Sequence, residues 1–353
     1  MELTLASGPF GSLPGLLHDA DVHLAGLSWL KGNEGAVSLN RSGINVSLEA
    51  QLGRTALRAH LEGGEADLPW PTLRPDSVAL RADQSLEWEK GSWVVAATPD
   101  GPSADLFTVT SEVFTFSGYA GNFAAPERLD ECAAALRAAR ELLDELVPAL
   151  AESTLPVAPV VLLFECDIRS WYLTQIPGTI GLGARQLLTD SDYLTAESLL
   201  HETLHEKYSL LALTRRMFKA GHVDDKSPGL LLPWPNSLNE RRVFRLERLL
   251  STLHVYSQLG FLHMQAASGS AAGDGTLGEA VNRLVLCVER ARLLLEALKR
   301  PEIAEGLGAD GEALRDWLAE AALTPARFYC EANGLETSQW ENDATNWKEL
   351  ITW

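Results

Sequence analysis

From Thr195 to Leu213 the chain carries neither glycine nor proline, and inside that stretch lies His201-Glu202-Thr203-Leu204-His205. The apolar spacing around it predicts a helix over about Ala196 to Ala220. On a helix, positions i and i+4 share a face, so both imidazoles project the same way and can hold one metal ion. Glu202 lies beside that face, where it can approach a metal-bound water or orient a ligand. The competing view is a surface helix whose histidines bind nothing. Glu206 follows His205 directly and points elsewhere, either supporting the site from behind or solvated.

The chain has 353 residues, enough for one large domain or two smaller ones. Lys and Arg total 29 against 48 for Asp and Glu, a formal net charge of −19. Such a chain repels phosphate backbones, which argues against nucleic acid as a partner. A neutral or basic peptide is better tolerated, although solubility alone also accounts for the charge. Cys132, Cys166, Cys287 and Cys330 form no C-x-x-C pair, which argues against a cysteine zinc site and fits buried thiols in a reducing compartment. The N-terminal residues lack a basic segment followed by a sustained apolar one, and no apolar run approaches a membrane span. The expected location is cytoplasmic, with no membrane partner.

The first third reads as β-rich. Ala36–Asn40 and Ile44–Leu48 alternate apolar with polar residues, and further strand candidates are Ser77–Leu80, Ser92–Ala97 and Leu106–Phe116. His18, His23 and His60 lie there singly and receive no role. Composition shifts after Asn122. Ala125–Leu150 has helical spacing with Pro126 suited to a first turn, and Val157–Phe164 is a short apolar run typical of a buried strand. The stretch Trp171–Gly183, with Pro177-Gly178 and glycines at 181 and 183, predicts a turn and an edge strand passing close to something, or an ordinary hairpin. In many metal hydrolases such an edge strand holds an extended peptide by strand addition. Gly221–Asn236 reads as a loop, Leu238–Ala267 as a long helix and Leu277–Leu298 as another. Trp340, Trp347 and Trp353 are expected to pack as core or lid residues. The fold class expected is α+β: a β-rich region over residues 1–124, followed by a mainly helical metal-binding region over residues 125–353.

Two histidines need a third protein ligand, with open positions left for water, oxygen or substrate. His254 lies in an apolar part of the long helix, where an unsatisfied imidazole is costly; a hydrogen-bonded core histidine is the alternative. Glu240, in Asn239-Glu240, resembles the third-ligand segment of thermolysin-like and aminopeptidase-like zinc enzymes, yet also suits the first turn of a helix. The long helix is also expected to carry Arg241, Arg242, Arg245 and Arg248. Guanidinium groups grip carboxylates in a bidentate fork, and an oxygenase using 2-oxoglutarate needs one for the distal carboxylate. A solvated, ion-paired helix face accounts for most of the four.

The order Ile176-Pro177-Gly178-Thr179-Ile180-Gly181-Leu182, then Leu199 to His205, then an arginine-bearing segment with Leu253-His254, resembles the α-ketoglutarate-dependent HExxH-type peptide β-hydroxylases of ribosomal peptide natural-product modification. The resemblance spans Val157 to His263 and leaves the first third without a signature. It implies non-haem Fe(II) as the metal and 2-oxoglutarate as cosubstrate. It implies His201, His205 and His254 as ligands, and a precursor peptide as partner. Glu202 is then neither ligand nor hydrolytic base, but orients His205 or a water. For the cosubstrate it leaves Arg245 and Arg248 as competing choices, because this chain lacks the Arg-Pro that often precedes the downstream Leu-His. A zinc metallopeptidase is the alternative, with Glu202 as general base and Glu240 as third ligand. A peptide-binding scaffold with a vestigial metal site is a third reading.

Overall fold

In a computed structural model, the structure describes residues 8–20, 85–96, 122–124, 126–165, 168–172, 178–235, 241–269, 274–336 and 351–352. Four predicted strands of the first third (36–40, 44–48, 77–80 and 106–116) lie outside the described residues, as do His23, His60, Cys166, Glu240 and the three C-terminal tryptophans. The chain divides into two compact units. One comprises Ser12–Glu145 and Ala151–Thr214, the other Met1–Gly11, Leu146–Leu150 and Arg215–Trp353. Helices and a mixed sheet are both present.

The first unit is built on the mixed sheet. Strands β1 (Ser85–Glu89) and β2 (Ser92–Val95) form a hairpin whose turn uses Gly91 at φ 78°, with its N–H donated to Glu87 Oε1 at 2.7 Å. The short β3 (Asn122–Phe123) precedes helix α1 (Leu129–Leu146). Pro126 sits in the 3-10 turn that opens α1, as its fixed φ and missing N–H allow. The apolar stripe of α1 buries Cys132, Leu136, Ala139 and Leu143. Helix α2 (Pro148–Thr154) leads to β4 (Val160–Glu165), the predicted apolar run, buried from Val160 to Phe164. Then come β5 (Ser170–Tyr172) and β6 (Thr179–Gly183).

The strand order is β1-β2-β4-β6-β5, with β3 antiparallel to the end of β4. β4 runs parallel to both β2 and β6, in register from Val160 opposite Thr179 to Phe164 opposite Gly183. β5 returns antiparallel to β6 and ends the sheet. Among the described strands β5 is the edge strand beside β6, while residues 173–177, with Pro177, lie outside the described residues. The glycines that follow have separate reasons. Gly178 adopts φ 65°, and a Cβ on Gly181 would run into the ring of Phe164 across the ladder.

After β6 the chain forms α3 (Ala184–Thr189) and then α4 (Asp192–Thr214), the helix that carries the HExxH motif. It begins earlier than the apolar spacing predicts, because Ser191 Oγ accepts the N–H of Leu194 at 3.4 Å and Asp192 favours the positive helix end. It also ends earlier. Lys219 N bonds Gly306 O and Gly308 N bonds Met217 O, so residues 217–219 are drawn into extended pairing.

The second unit holds a small sheet of β7 (Gly229–Pro235), β8 (Arg241–Phe244) and β9 (Ile351–Thr352), ordered β8-β7-β9. It corrects two expectations. The proline-bearing loop contains a strand, whose prolines at 233 and 235 fall where the register with β8 shifts, beyond the stretch paired with β9. The long helix, α5 (Leu246–Ser268), starts later than Leu238, because Arg241–Phe244 pair with β7. Arg241 and Arg242 are therefore strand residues, and Arg245 is the N-cap. Asp224 Oδ1 accepts the N–H of Glu247 at 3.2 Å and caps α5 from the preceding loop. Helices α6 (Asp274–Lys299), α7 (Pro301–Ala304) and α8 (Ala309–Ala332) follow. α5, α6 and α8 pack on one another, and Gly260 of α5 gives room to the ring of Pro325 in α8. Among the described residues, no helix is long and apolar enough to cross a membrane.

Candidate metal centre

α4 is buried on most of its surface, so its polar residues must be satisfied locally. Ser198 Oγ and Thr203 Oγ1 donate to the carbonyls of Leu194 (2.9 Å) and Leu199 (2.5 Å), four residues back. Lys207 donates from Nζ to Ser153 Oγ and Thr154 Oγ1, both at 3.3 Å, and burial lowers its pKa to about 8.

On one turn of this helix, His201, Glu202 and His205 bring a ligand atom each to within 4.8 Å of one another. The two imidazole centroids are 5.1 Å apart with their planes at 57°. Ligands bound about 2.1 Å from a common ion stand roughly 3–4 Å apart, so small side-chain adjustments complete the approach. Two imidazoles and a carboxylate suit a first-row divalent ion such as iron or zinc. His205 is 6% exposed and the Glu202 side chain 7%, whereas the His201 side chain keeps 30%. The centre is closed behind and open at His201.

The β5–β6 hairpin fastens to this face. Ser170 Oγ donates to Glu202 Oε1 at 2.6 Å, and that same oxygen stands 3.9 Å from His201 Nε2. The Tyr172 ring stacks on His205, centroids 5.5 Å apart and planes 18° apart, while its hydroxyl donates to Ser209 Oγ at 2.6 Å. Glu206 is 2% exposed and accepts the N–H of Gly178 at 3.0 Å, which excludes the solvated option and leaves it as support from behind. Ser170 and Tyr172 escaped the sequence reading. Their signal is the i, i+2 alternation that puts both on one face of an edge strand.

The other predicted residues lie in the second unit. His254 is buried in α5 at 2% exposure. Arg245 donates from Nη1 to the carbonyl of Ser227. Arg248 is exposed in the first turn of α5, with its guanidinium 5.5 Å from the Phe244 ring centroid. Compared with known proteins, the chain matches no family model and no curated protein.

Proposed function

We propose that this chain is a cytoplasmic Fe(II)- and 2-oxoglutarate-dependent oxygenase that hydroxylates a side-chain β-carbon of a ribosomally made precursor peptide. The observation that carries the reading is the donor group of His201, Glu202 and His205 on one turn of α4, closed behind and open at His201. The resemblance over Val157 to His263 supplies the rest. In this reading His201 and His205 hold the metal, and Leu253-His254 of the resemblance assigns His254 as third ligand. Bound iron would supply oxygen activation with the keto acid as co-reductant.

The chain's own residues do the positioning. Glu202, held by Ser170, orients His205 or a water. Arg245 or Arg248 takes the distal carboxylate of 2-oxoglutarate. The apolar residues of α4 limit water behind the histidines. The same reading extends to the chain's layout, with a β-rich region over residues 1–124 ahead of a mainly helical catalytic region.

One observation favours a second reading. The Glu202 carboxylate belongs to the same donor group as the histidines, where the general base of a zinc peptidase would stand. Anaerobic reconstitution with Fe(II) followed by addition of 2-oxoglutarate separates the two. The oxygenase gives a metal-to-keto-acid absorption band, then oxygen-dependent succinate release that His254→Ala abolishes and Glu240→Gln spares. Peptide cleavage in anaerobic zinc buffer, with no such band, would overturn it in favour of the peptidase.

A further inference from the structure

Resting on the reading of His201, Glu202 and His205 as a metal centre, we propose that Ser170 and Tyr172 are its positioning residues. One residue of the pair sets the carboxylate and the other sets the buried imidazole. The two alternate along β5, so both side chains face α4 while Trp171 between them points to the opposite face.

Ser170 acts on Glu202. Its hydroxyl donates to Oε1 at 2.6 Å. Glutamate has three side-chain torsions and, on a helix, Glu202 lies about 100° around from His201. The bond from β5 fixes the carboxylate on the side of the histidines, with Oε1 3.9 Å from His201 Nε2.

Tyr172 acts on His205. The phenol ring lies nearly parallel to the imidazole and covers one of its faces. Its hydroxyl donates to Ser209 Oγ, one turn further along the same helix. The helix that carries His205 thus also anchors the tip of the ring that covers it. Rotation of the imidazole about its ring torsion would have to displace a phenol held at both ends. That restricts which nitrogen faces His201 and Glu202 and lowers the ordering cost when a metal binds. Gly178, beside β6, also donates to Glu206, a further tie from the neighbouring strand to α4.

The test is metal affinity rather than turnover. Zn(II) dissociation constants would be measured on the full chain by competition with a chromophoric chelator, alongside the visible spectrum of the Co(II)-substituted protein. Loss of an outer hydrogen bond to a ligand costs about 10–100-fold in metal affinity. Ser170→Ala and Tyr172→Leu are expected to weaken zinc by about 10-fold or more and to alter the Co(II) bands. Tyr172→Phe, which keeps the stack and loses the anchor, should fall between, and Ser170→Thr should restore both readouts. Should Ser170→Ala fail to fold, Tyr172→Phe carries the same test from the other side.

The proposal is overturned if the wild type binds zinc, His201→Ala and His205→Ala abolish binding, and the β5 variants keep wild-type affinity and an unchanged Co(II) spectrum. That pattern leaves the metal centre standing. A wild type that binds neither ion removes the metal centre and the positioning role together.

Discussion

Glu206 accepts the backbone N–H of Gly178 at 3.0 Å, so the residue next to the HExxH motif fastens the turn that opens β6. The bond is buried. Removing the acceptor leaves an N–H without its partner, which costs about 1–3 kcal/mol. Glu206→Ala should lower the stability of the metal-free protein by that amount in denaturant unfolding. Glu206→Gln, which keeps an acceptor oxygen, should cost less. Equal losses for the two variants would mean that side-chain volume, not the hydrogen bond, is what matters there.

Gly181 pairs with Leu162 on the parallel ladder, and the ring of Phe164, two residues further along β4, fills the space a Cβ at 181 would need. Both strands are interior to the sheet and buried, so neither backbone can give way without breaking ladder bonds. Gly181→Ala should destabilise by about 1–3 kcal/mol, as overpacking of a tight core does. The double variant with Phe164→Leu should recover part of the loss. Simple additivity of the two losses would show that the contact is not the cause.

Burial pushes the Cys132 thiol up from 9.0 to about 11, with Arg128 opposing the shift. The folded chain therefore holds this proton between pH 9 and 11 while the unfolded chain releases it. More protons bound by the folded state means that stability falls as pH rises through that window, by on the order of 2 kcal/mol. Tyr256, also raised by burial, adds a loss of the same sign above pH 10. Urea midpoints at pH 8, 9, 10 and 11 should decline for the wild type. The decline should be shallower in Cys132→Ala and in Tyr256→Phe. A flat profile for the wild type would refute both assignments.

The helix that carries the HExxH motif is legible in the sequence because local signals agree there: no glycine or proline, helical apolar spacing and a histidine pair four apart. β4 was legible for the same reason, as a short β-branched run between turn signals. The boundaries that moved were set by partners distant in sequence. Residues 217–219 leave α4 to pair with 306–308, and Arg241–Phe244 leave a helical pattern to pair with β7. A one-dimensional pattern carries no trace of such pairing. In the site, His201, Glu202 and His205 follow from helix geometry alone. Ser170 and Tyr172 do not, because their meaning depends on which face of β5 meets α4. Glycines 178, 181 and 183 were the nearest hint, since they mark where a backbone passes close to its neighbour.

Metal should stabilise the folded chain by mass action. At a free Zn(II) concentration a hundredfold above the dissociation constant, the gain is about 2.7 kcal/mol, and excess chelator should reverse it. His201→Ala and His205→Ala should abolish the thermal shift. His201, the more exposed of the two, should cost the metal-free protein less than the buried His205 does. An equal thermal shift in both variants and the wild type would place the ion elsewhere on the chain.

Glu202→Gln separates the two chemistries that the donor group permits. The amide oxygen still accepts from Ser170, so the side chain keeps its place, but it can no longer take a proton. A peptidase that relies on this carboxylate as general base should lose about 10²–10⁴-fold in kcat with little change in zinc affinity. An oxygenase that uses Glu202 only to orient His205 or a water should keep most of its succinate-forming turnover. Its metal affinity should weaken by no more than the about 10–100-fold typical of an outer ligand contact. If succinate formation fell as steeply as a general base requires while metal and 2-oxoglutarate binding stayed intact, Glu202 would be taking part in the chemistry itself. The division of roles between the histidines and the carboxylate would then have to be redrawn.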